Sequence, residues 1–132
     1  MEDYTLGLHV GSGATGRVVL ARHKSGGAVA VKAMRKRDLV ARGQARHLVA
    51  ESRLLASLSH PFIVRHVAAF QTPEHLLLAM EWLPGGDLYA ELHAAGPLTR
   101  TSASFYCAQI VCVFSHLHER LLVYRDLKPG EM

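Results

Sequence analysis

The stretch VGSGATGRVVLARHKSGGAVAVKAM, residues 10–34, decides the fold of this chain. Its glycines at positions 11, 13 and 16 are spaced as in loops that bind phosphate through backbone N–H groups, because glycine has no Cβ to obstruct the approach. A Walker loop is excluded, since Gly16 is followed by Arg17 and Val18 rather than by lysine and a hydroxyl residue. Two other kinds of phosphate-binding loop remain.

The first is the dinucleotide-binding loop of a Rossmann-type oxidoreductase. In that fold the last glycine opens a helix, and an acidic residue about 20 residues later holds the ribose. Asp38 has a similar spacing, but it lies in the polar run RKRD rather than at the end of a buried strand. Residues 17–20 continue as a β-strand instead of a helix. A parallel dinucleotide-binding sheet is therefore disfavoured.

The second is a glycine-rich hairpin that folds over a nucleotide. The sequence predicts three antiparallel strands at residues 4–10, 17–23 and 28–34, with the turn KSGG before the third. Such a hairpin requires a valine two residues after the last glycine and a lysine on the third strand, and Val18 and Lys32 match both requirements. A lysine in an apolar strand is costly to bury unless it is paired. Glu51, in a helix predicted at residues 45–58, is a suitable partner.

The rest of the chain predicts an α+β protein in two parts. Two further strands are expected at residues 63–70 and 75–81, separated by the turn QTPE. PGGD, residues 84–87, interrupts the pattern and is the best candidate for a hinge. Helices follow at residues 88–94 and 102–119, and the longer one has an apolar face at three- and four-residue spacing. We therefore expect a five-stranded antiparallel sheet with one helix, then a hinge and a mostly helical part.

Composition and charge exclude several classes of protein. The 132 residues suffice for one core, and the formal net charge of +4 is modest. No aromatic residue interleaves with the basic cluster at residues 35–37, which we interpret as a solvated connector, so no nucleic-acid partner is expected. We find no signal peptide and expect no membrane span. Cys107 and Cys112 are five residues apart on a predicted helix, which is typical of reduced core thiols in an intracellular protein.

YRDLKP, residues 124–129, completes a set of four motifs. GxGxxGxV, the VAVK strand, a helix glutamate and YRDLKP occur in that order, and chance is a poor explanation for all four. The chain resembles a eukaryotic-type serine/threonine protein kinase domain of the AGC group, and within it the cAMP-dependent protein kinases. SHPFIV and MEWLPGGDLY are also similar to that family. The resemblance implies a kinase N-lobe at residues 1–83, a hinge at 84–87 and a partial C-lobe at 88–132.

The resemblance also implies an ATP site. The glycine-rich loop that covers the phosphates would consist of Val10, Gly11, Ser12, Gly13, Ala14, Thr15 and Gly16. Lys32 would contact the α- and β-phosphates and would form an ion pair with Glu51. The adenine and the ribose would contact Val18, Ala30, the gatekeeper Met80, the backbones of Glu81 and Leu83, and the carboxylate of Asp87.

Two residues of YRDLKP would carry the chemistry. Asp126 would orient the substrate hydroxyl and accept its proton, and Lys128 would stabilise the charge on the transferring phosphoryl group. By resemblance the expected partners are ATP with Mg²⁺ and a protein or peptide substrate, and the family also allows a regulatory subunit. The expected location is the cytoplasm, with the nucleus as a second compartment.

The last residues depart from the family pattern. Glu131 stands where the family has an asparagine that binds Mg²⁺, and the DFG aspartate, the main Mg²⁺ ligand, is absent from the 132 residues. We therefore assign no metal ligand to this chain, and we expect a truncated kinase domain with little or no activity on its own. The alternative is a catalytically inactive short kinase-like protein that binds nucleotide or a kinase partner.

Overall fold

The structure is a computed structural model that describes residues 3–13 and 16–131. The described part divides into two compact units. The first comprises the residues up to Ser59 together with Val64–Trp82, and the second comprises His60–Ile63 together with the residues from Leu83 onward. The limits that the sequence predicts for the two lobes and the hinge stay predictions.

The first unit is built on a five-stranded antiparallel sheet, as the sequence predicts. The strands span Tyr4–Gly13 (β1), Gly16–His23 (β2), Ala28–Arg35 (β3), His66–Gln71 (β4) and His75–Glu81 (β5). Their order across the sheet is β1-β2-β3-β5-β4, and every neighbouring pair is antiparallel. Gly26 and Gly27, in the turn before β3, have φ of 98° and 88°, a left-handed conformation that glycine adopts at little cost.

β4 begins later than the sequence predicts. The expected strand starts at residue 63, but the N–H of Ile63 donates to the carbonyl oxygen of His60 at 3.1 Å and closes a turn. This turn contains Pro61, which has no N–H for a strand ladder. The first three residues of the predicted strand therefore lie outside the sheet.

Both faces of the sheet carry buried apolar side chains. One face holds a cluster that consists of Ala21, Val29, Val31, Leu77 and Ala79. Met34 and Leu78 lie on the opposite face, because successive residues of a strand point to opposite sides. Met34 is fully buried there and packs against Leu39, which follows β3.

Two helices belong to the first unit, where the sequence predicts one. The short helix α1 spans Lys36–Ala41, and α2 spans Ala45–Ser57. The interpretation of residues 35–37 as a connector is therefore wrong for Lys36 and Arg37, which lie in α1. Leu39 is 3% exposed, and its contact with the core accounts for a helix at this place. In contrast, α2 has no buried residue.

The second unit is helical. α3 spans Leu88–Ala95, α4 spans Arg100–His118, and Pro129–Glu131 form a single 3₁₀ turn. Asp87 caps α3, because its Oδ1 accepts a hydrogen bond from the N–H of Ala90 at 2.8 Å. Thr99 caps α4 in the same way through the N–H of Ser102, at 3.1 Å. This cap explains why α4 begins two residues before the predicted helix.

α4 buries only Leu117 among its residues. Cys107 and Cys112 are free thiols, as predicted, but both are exposed, so the prediction that they are core thiols is wrong. Cys107 lies on the apolar face of α4, but Ile110 and Phe114 of the same face are only half-buried themselves. Within residues 3–13 and 16–131, no helix combines the length and the apolar character needed to cross a bilayer.

Candidate functional site

Strand pairing places two predicted phosphate-binding residues in one row across the sheet. Gly11 of β1 lies opposite Val18 of β2. Val18 lies opposite Lys32 of β3, which in turn lies opposite Leu78 of β5. Residues that pair directly across strands point to the same side of a sheet. Val18 and Lys32 therefore share a face, and the backbone of Gly11 lies at the end of their row.

Two further predicted nucleotide contacts lie on the same face. Ala30 precedes Lys32 by two residues on β3 and lies opposite Met80 of β5. Met80 also lies opposite His66 of β4, whose Nε2 is buried without a hydrogen-bond partner among the described residues. The sheet thus brings Val18, Ala30, Lys32 and Met80 together on one surface, here called the lysine face.

The glycines of the loop differ in their surroundings. A Cβ built on Gly16 would overlap the carbonyl oxygen of Ala33 and would lie 2.8 Å from Cγ of the buried Met34. A Cβ built on Gly11 would meet no atom within 4 Å. The fold therefore requires glycine at position 16, whereas it leaves free space beside Gly11 that a ligand can occupy.

The other residues of the glycine-rich loop are only partly described. Val10 is 40% exposed, and the Oγ of Ser12 forms a hydrogen bond of 3.0 Å with Nε2 of His9. Gly13 pairs with Gly16 across the hairpin. Ala14 and Thr15, which the sequence places at the tip of the loop, lie outside the described residues.

Lys32 and Glu51 form no ion pair within 4.0 Å in the described part of the chain. Lys32 is half-buried in β3, whereas Glu51 is exposed on α2. The pairing that the resemblance implies stays a prediction.

Glu81 is held in place by a residue that the sequence did not single out. Its N–H donates to the carbonyl oxygen of Arg65 at 3.0 Å, and its carboxylate accepts the N–H of Arg65 at 2.8 Å. The Nε of Arg65 lies 4.0 Å from the second carboxylate oxygen. Because its N–H is engaged, the carbonyl of Glu81 is the backbone group that an adenine contact would use.

The second unit contains the remaining predicted nucleotide contacts. Leu83 is 50% exposed, and Asp87 is half-buried. One carboxylate oxygen of Asp87 is engaged in the cap of α3, so a ribose contact would use the other. A structural role as a helix cap therefore coexists with the predicted role in binding.

Asp126 and Lys128 are brought together in the segment that follows α4. The Nζ of Lys128 donates to Oδ2 of Asp126 at 2.7 Å, and the two side chains are 53% and 76% exposed respectively. Arg125, which precedes them, has a φ of 69°. A left-handed backbone is uncommon outside glycine and clusters at functional sites. The segment presents an accessible carboxylate beside an ammonium group, which is the arrangement that proton acceptance next to a phosphoryl group needs.

The described residues fit a nucleotide better than a metal ion. The free space beside Gly11 and the ammonium of Lys32 in the same row suit phosphate oxygens. No group of three or more His, Cys, Asp or Glu side chains in the described ranges could hold a metal ion. The Mg²⁺ that the resemblance implies together with ATP is usually held by one or two carboxylates and the phosphates rather than by a cluster of this kind.

A basic cavity of about 370 Å³ lies next to the glycine-rich loop. Ser12 and Gly16 line it together with Arg17 and Arg35. None of the four residues of the lysine face lines this cavity. It is therefore separate from the predicted nucleotide contacts on that face.

Comparison with known proteins agrees with these features. Residues 4–132 match the protein kinase domain family. The cAMP-dependent protein kinase, catalytic subunit-like, of Caenorhabditis elegans is 41% identical over 126 residues, which are 95% of this chain and 32% of that protein. RAC-beta serine/threonine-protein kinase of Homo sapiens is 39% identical over 129 residues, covering 97% of this chain and 27% of that protein.

Protein kinase 3 of Dictyostelium discoideum is 38% identical over 130 residues, which are 98% of this chain and 14% of that protein. The chain thus spans between 14% and 32% of the length of these three relatives. The match to the domain family, in contrast, covers almost every residue of this chain. The chain therefore belongs to the protein kinase family.

Proposed function

We propose that this chain forms the nucleotide-binding and catalytic-loop part of an AGC-group serine/threonine protein kinase. The observation that carries the proposal is the contact between Lys128 and Asp126, at 2.7 Å, in a loop of the sequence that the family uses for phosphoryl transfer. The name of one relative, the RAC-beta serine/threonine-protein kinase, supports serine and threonine as acceptors.

The lysine face would hold the nucleotide from one side. Lys32 would bind the α- and β-phosphates, while Val18 and Ala30 would contact the adenine and Met80 would limit the depth of the pocket. The backbone of Gly11 can approach a phosphate closely, since nothing lies within 4 Å of its missing Cβ. When bound, ATP supplies the phosphoryl group that is transferred.

Asp126 and Lys128 would act on the acceptor hydroxyl and on the phosphoryl group. The carboxylate of Asp126 would accept the proton of the serine or threonine hydroxyl while the new oxygen–phosphorus bond forms. The bond from the same phosphorus to the β,γ-bridging oxygen of ATP would break, and ADP would leave with that oxygen. The ammonium of Lys128 moves from this carboxylate to the phosphoryl oxygens and stabilises their charge.

A chimera tests this proposal. Residues 4–129 replace the corresponding segment of the Caenorhabditis elegans relative, and the purified chimera is assayed for phosphate transfer from ATP to a serine peptide. We expect activity, and we expect Asp126→Asn to lower kcat by about 10²–10⁴-fold. A second chimera, joined after Glu131, tests whether that carboxylate can replace the asparagine of the family. A chimera that unfolds cooperatively but transfers no phosphate would contradict the proposal.

A second candidate is a kinase-like protein that binds nucleotide or a kinase partner without transferring phosphate. The separation of Lys32 from Glu51 favours it, because active kinases require this pair. A folded but inactive chimera that still binds ATP is the outcome that this candidate predicts. The protein substrate, a regulatory subunit and a cytoplasmic location stay predictions of the resemblance.

A further inference from the structure

Two histidines from distant parts of the sequence are in contact within the second unit. His60 lies in the turn at residues 60–63, and His116 lies near the end of α4. Their ring centroids are 4.9 Å apart, and the ring planes are inclined by 47°. This contact joins the turn at residues 60–63 to α4.

The turn uses one ring nitrogen of His60 as a hydrogen-bond acceptor. The N–H of Phe62 donates to Nδ1 of His60 at 3.2 Å, and the N–H of Ile63 donates to the carbonyl oxygen of His60 at 3.1 Å. A neutral imidazole has one acceptor nitrogen, so the proton of neutral His60 lies on Nε2.

His116 has an environment that disfavours a charged ring. Its Nε2 is buried and has no hydrogen-bond partner among the described residues. The guanidinium of Arg120 lies close by, because its Nη1 donates to the carbonyl oxygen of His116 at 2.9 Å. Glu119 opposes this effect, although its carboxylate lies 3.9 Å from Nη1 of Arg120.

These surroundings set the direction in which folding changes the titration of His116. Burial lowers the pKa of His116 below its ordinary value of 6.5, the charges of Arg120 and His60 lower it further, and Glu119 raises it. A histidine whose pKa is lowered by folding binds more protons in the open state. The contact is therefore fully stable above pH 6.5 and loses stability as the pH falls below that value.

We propose that His60 and His116 form a proton-sensitive latch that holds residues 60–63 on α4 while the His116 ring is neutral and releases them when that ring gains a proton. A positive charge on His116 would be placed in a ring whose Nε2 is buried without a hydrogen-bond partner among the described residues, 4.9 Å from the ring centroid of His60. The turn connects α2, which carries Glu51, with β4. Release of residues 60–63 from α4 would therefore loosen the connection between α2 and β4. This proposal does not depend on the proposed phosphoryl transfer.

The test combines an NMR titration of the histidine rings with hydrogen exchange of the Phe62 and Ile63 amides in the full chain, between about pH 7.5 and about pH 5.5. We expect His116 to titrate below 6.5. We also expect the hydrogen-exchange protection of both amides, corrected for intrinsic exchange, to decrease as the pH falls. The full decrease should be tenfold for each unit by which folding lowers the pKa of His116.

His116→Phe removes the titrating group and keeps a ring, so the protection should become independent of pH. The matched control is His118→Phe, on the same helix, where an exposed ring stacks on Phe114 with an interplanar angle of 21°. This control should behave like the wild type. A pKa of His116 at or above 6.5 in the wild-type chain would overturn the proposal. Protection of the Phe62 and Ile63 amides that does not change with pH in the wild type would also overturn it, whether or not either variant folds.

Discussion

The Nζ of Lys128 lies 2.7 Å from Oδ2 of Asp126, on a segment whose residue Arg125 has a left-handed backbone. Both side chains are largely exposed, so this ion pair contributes little to the stability of the fold. Their exposure leaves both groups accessible to a hydroxyl and a phosphoryl oxygen. The proposed chemistry of the loop and the stability of the fold are therefore expected to depend on different residues.

The first prediction separates these two properties. Lys128→Ala in the 132-residue chain should change the free energy of unfolding by less than about 0.5 kcal/mol, because the side chain is exposed. In the chimera the same substitution should lower kcat, since the transferring phosphoryl group loses a charge partner. Urea unfolding and steady-state kinetics measure the two effects. A large loss of stability without a change in kcat would show that the pair is structural.

The second prediction concerns the two glycines whose surroundings differ. Gly16→Ala should destabilise the chain by about 1–3 kcal/mol, because the new Cβ overlaps the backbone of Ala33 and approaches Met34. Gly11→Ala should leave the unfolding free energy nearly unchanged and should weaken ATP binding. Urea unfolding and ATP titration of both variants are the measurements. Equal destabilisation by the two substitutions would contradict this assignment.

The third prediction concerns Lys32 and Glu51. Since no ion pair joins them in the structure, a double-mutant cycle with Lys32→Met and Glu51→Gln should give a coupling energy below about 0.5 kcal/mol in the nucleotide-free chain. If nucleotide draws Glu51 toward Lys32, the coupling should rise when unfolding is measured with saturating Mg-ATP. A large coupling without nucleotide would contradict the separation seen here. An unchanged coupling with nucleotide would remove the predicted pairing.

The fourth prediction distinguishes the two roles of Asp87. Asp87→Ala removes the cap of α3 and should cost about 1 kcal/mol of stability. Asp87→Asn keeps an oxygen that can accept the N–H of Ala90, so stability should be retained while a charge-dependent ribose contact is weakened. Thermal unfolding and ATP affinity of the two variants test this. If Asp87→Asn leaves ATP affinity unchanged, the carboxylate acts only as a cap.

Local patterns were sufficient to predict the sheet. The strand at residues 75–81 has the bounds that the sequence indicates, and the glycines at 26 and 27 mark the turn before β3 through their positive φ. α1 could not be predicted in this way, because its six residues are too few to show a helical period. What stabilises it is the burial of Leu39 against Met34, which only the tertiary structure reveals.

The candidate site was predictable to a similar extent. The motifs predict roles for Val18, Lys32 and Asp126 from residue type and order, and the structure places Val18 and Lys32 on one face of the sheet. Whether Lys32 and Glu51 form an ion pair depends on how α2 packs, which no local pattern specifies, and α2 buries none of its residues. The contact between His60 and His116 was also missed, because no local pattern connects residues so far apart in the sequence.

The most direct test of the central claim is an isothermal titration of the 132-residue chain with Mg-ATP and, separately, with NAD. The account predicts binding of Mg-ATP, no binding of NAD, and an affinity for Mg-ATP that is at least about tenfold lower in Lys32→Ala, because a charged hydrogen bond to phosphate is lost. Folded wild-type chain that does not bind Mg-ATP, or that binds it as tightly when Lys32 is replaced, would contradict the account.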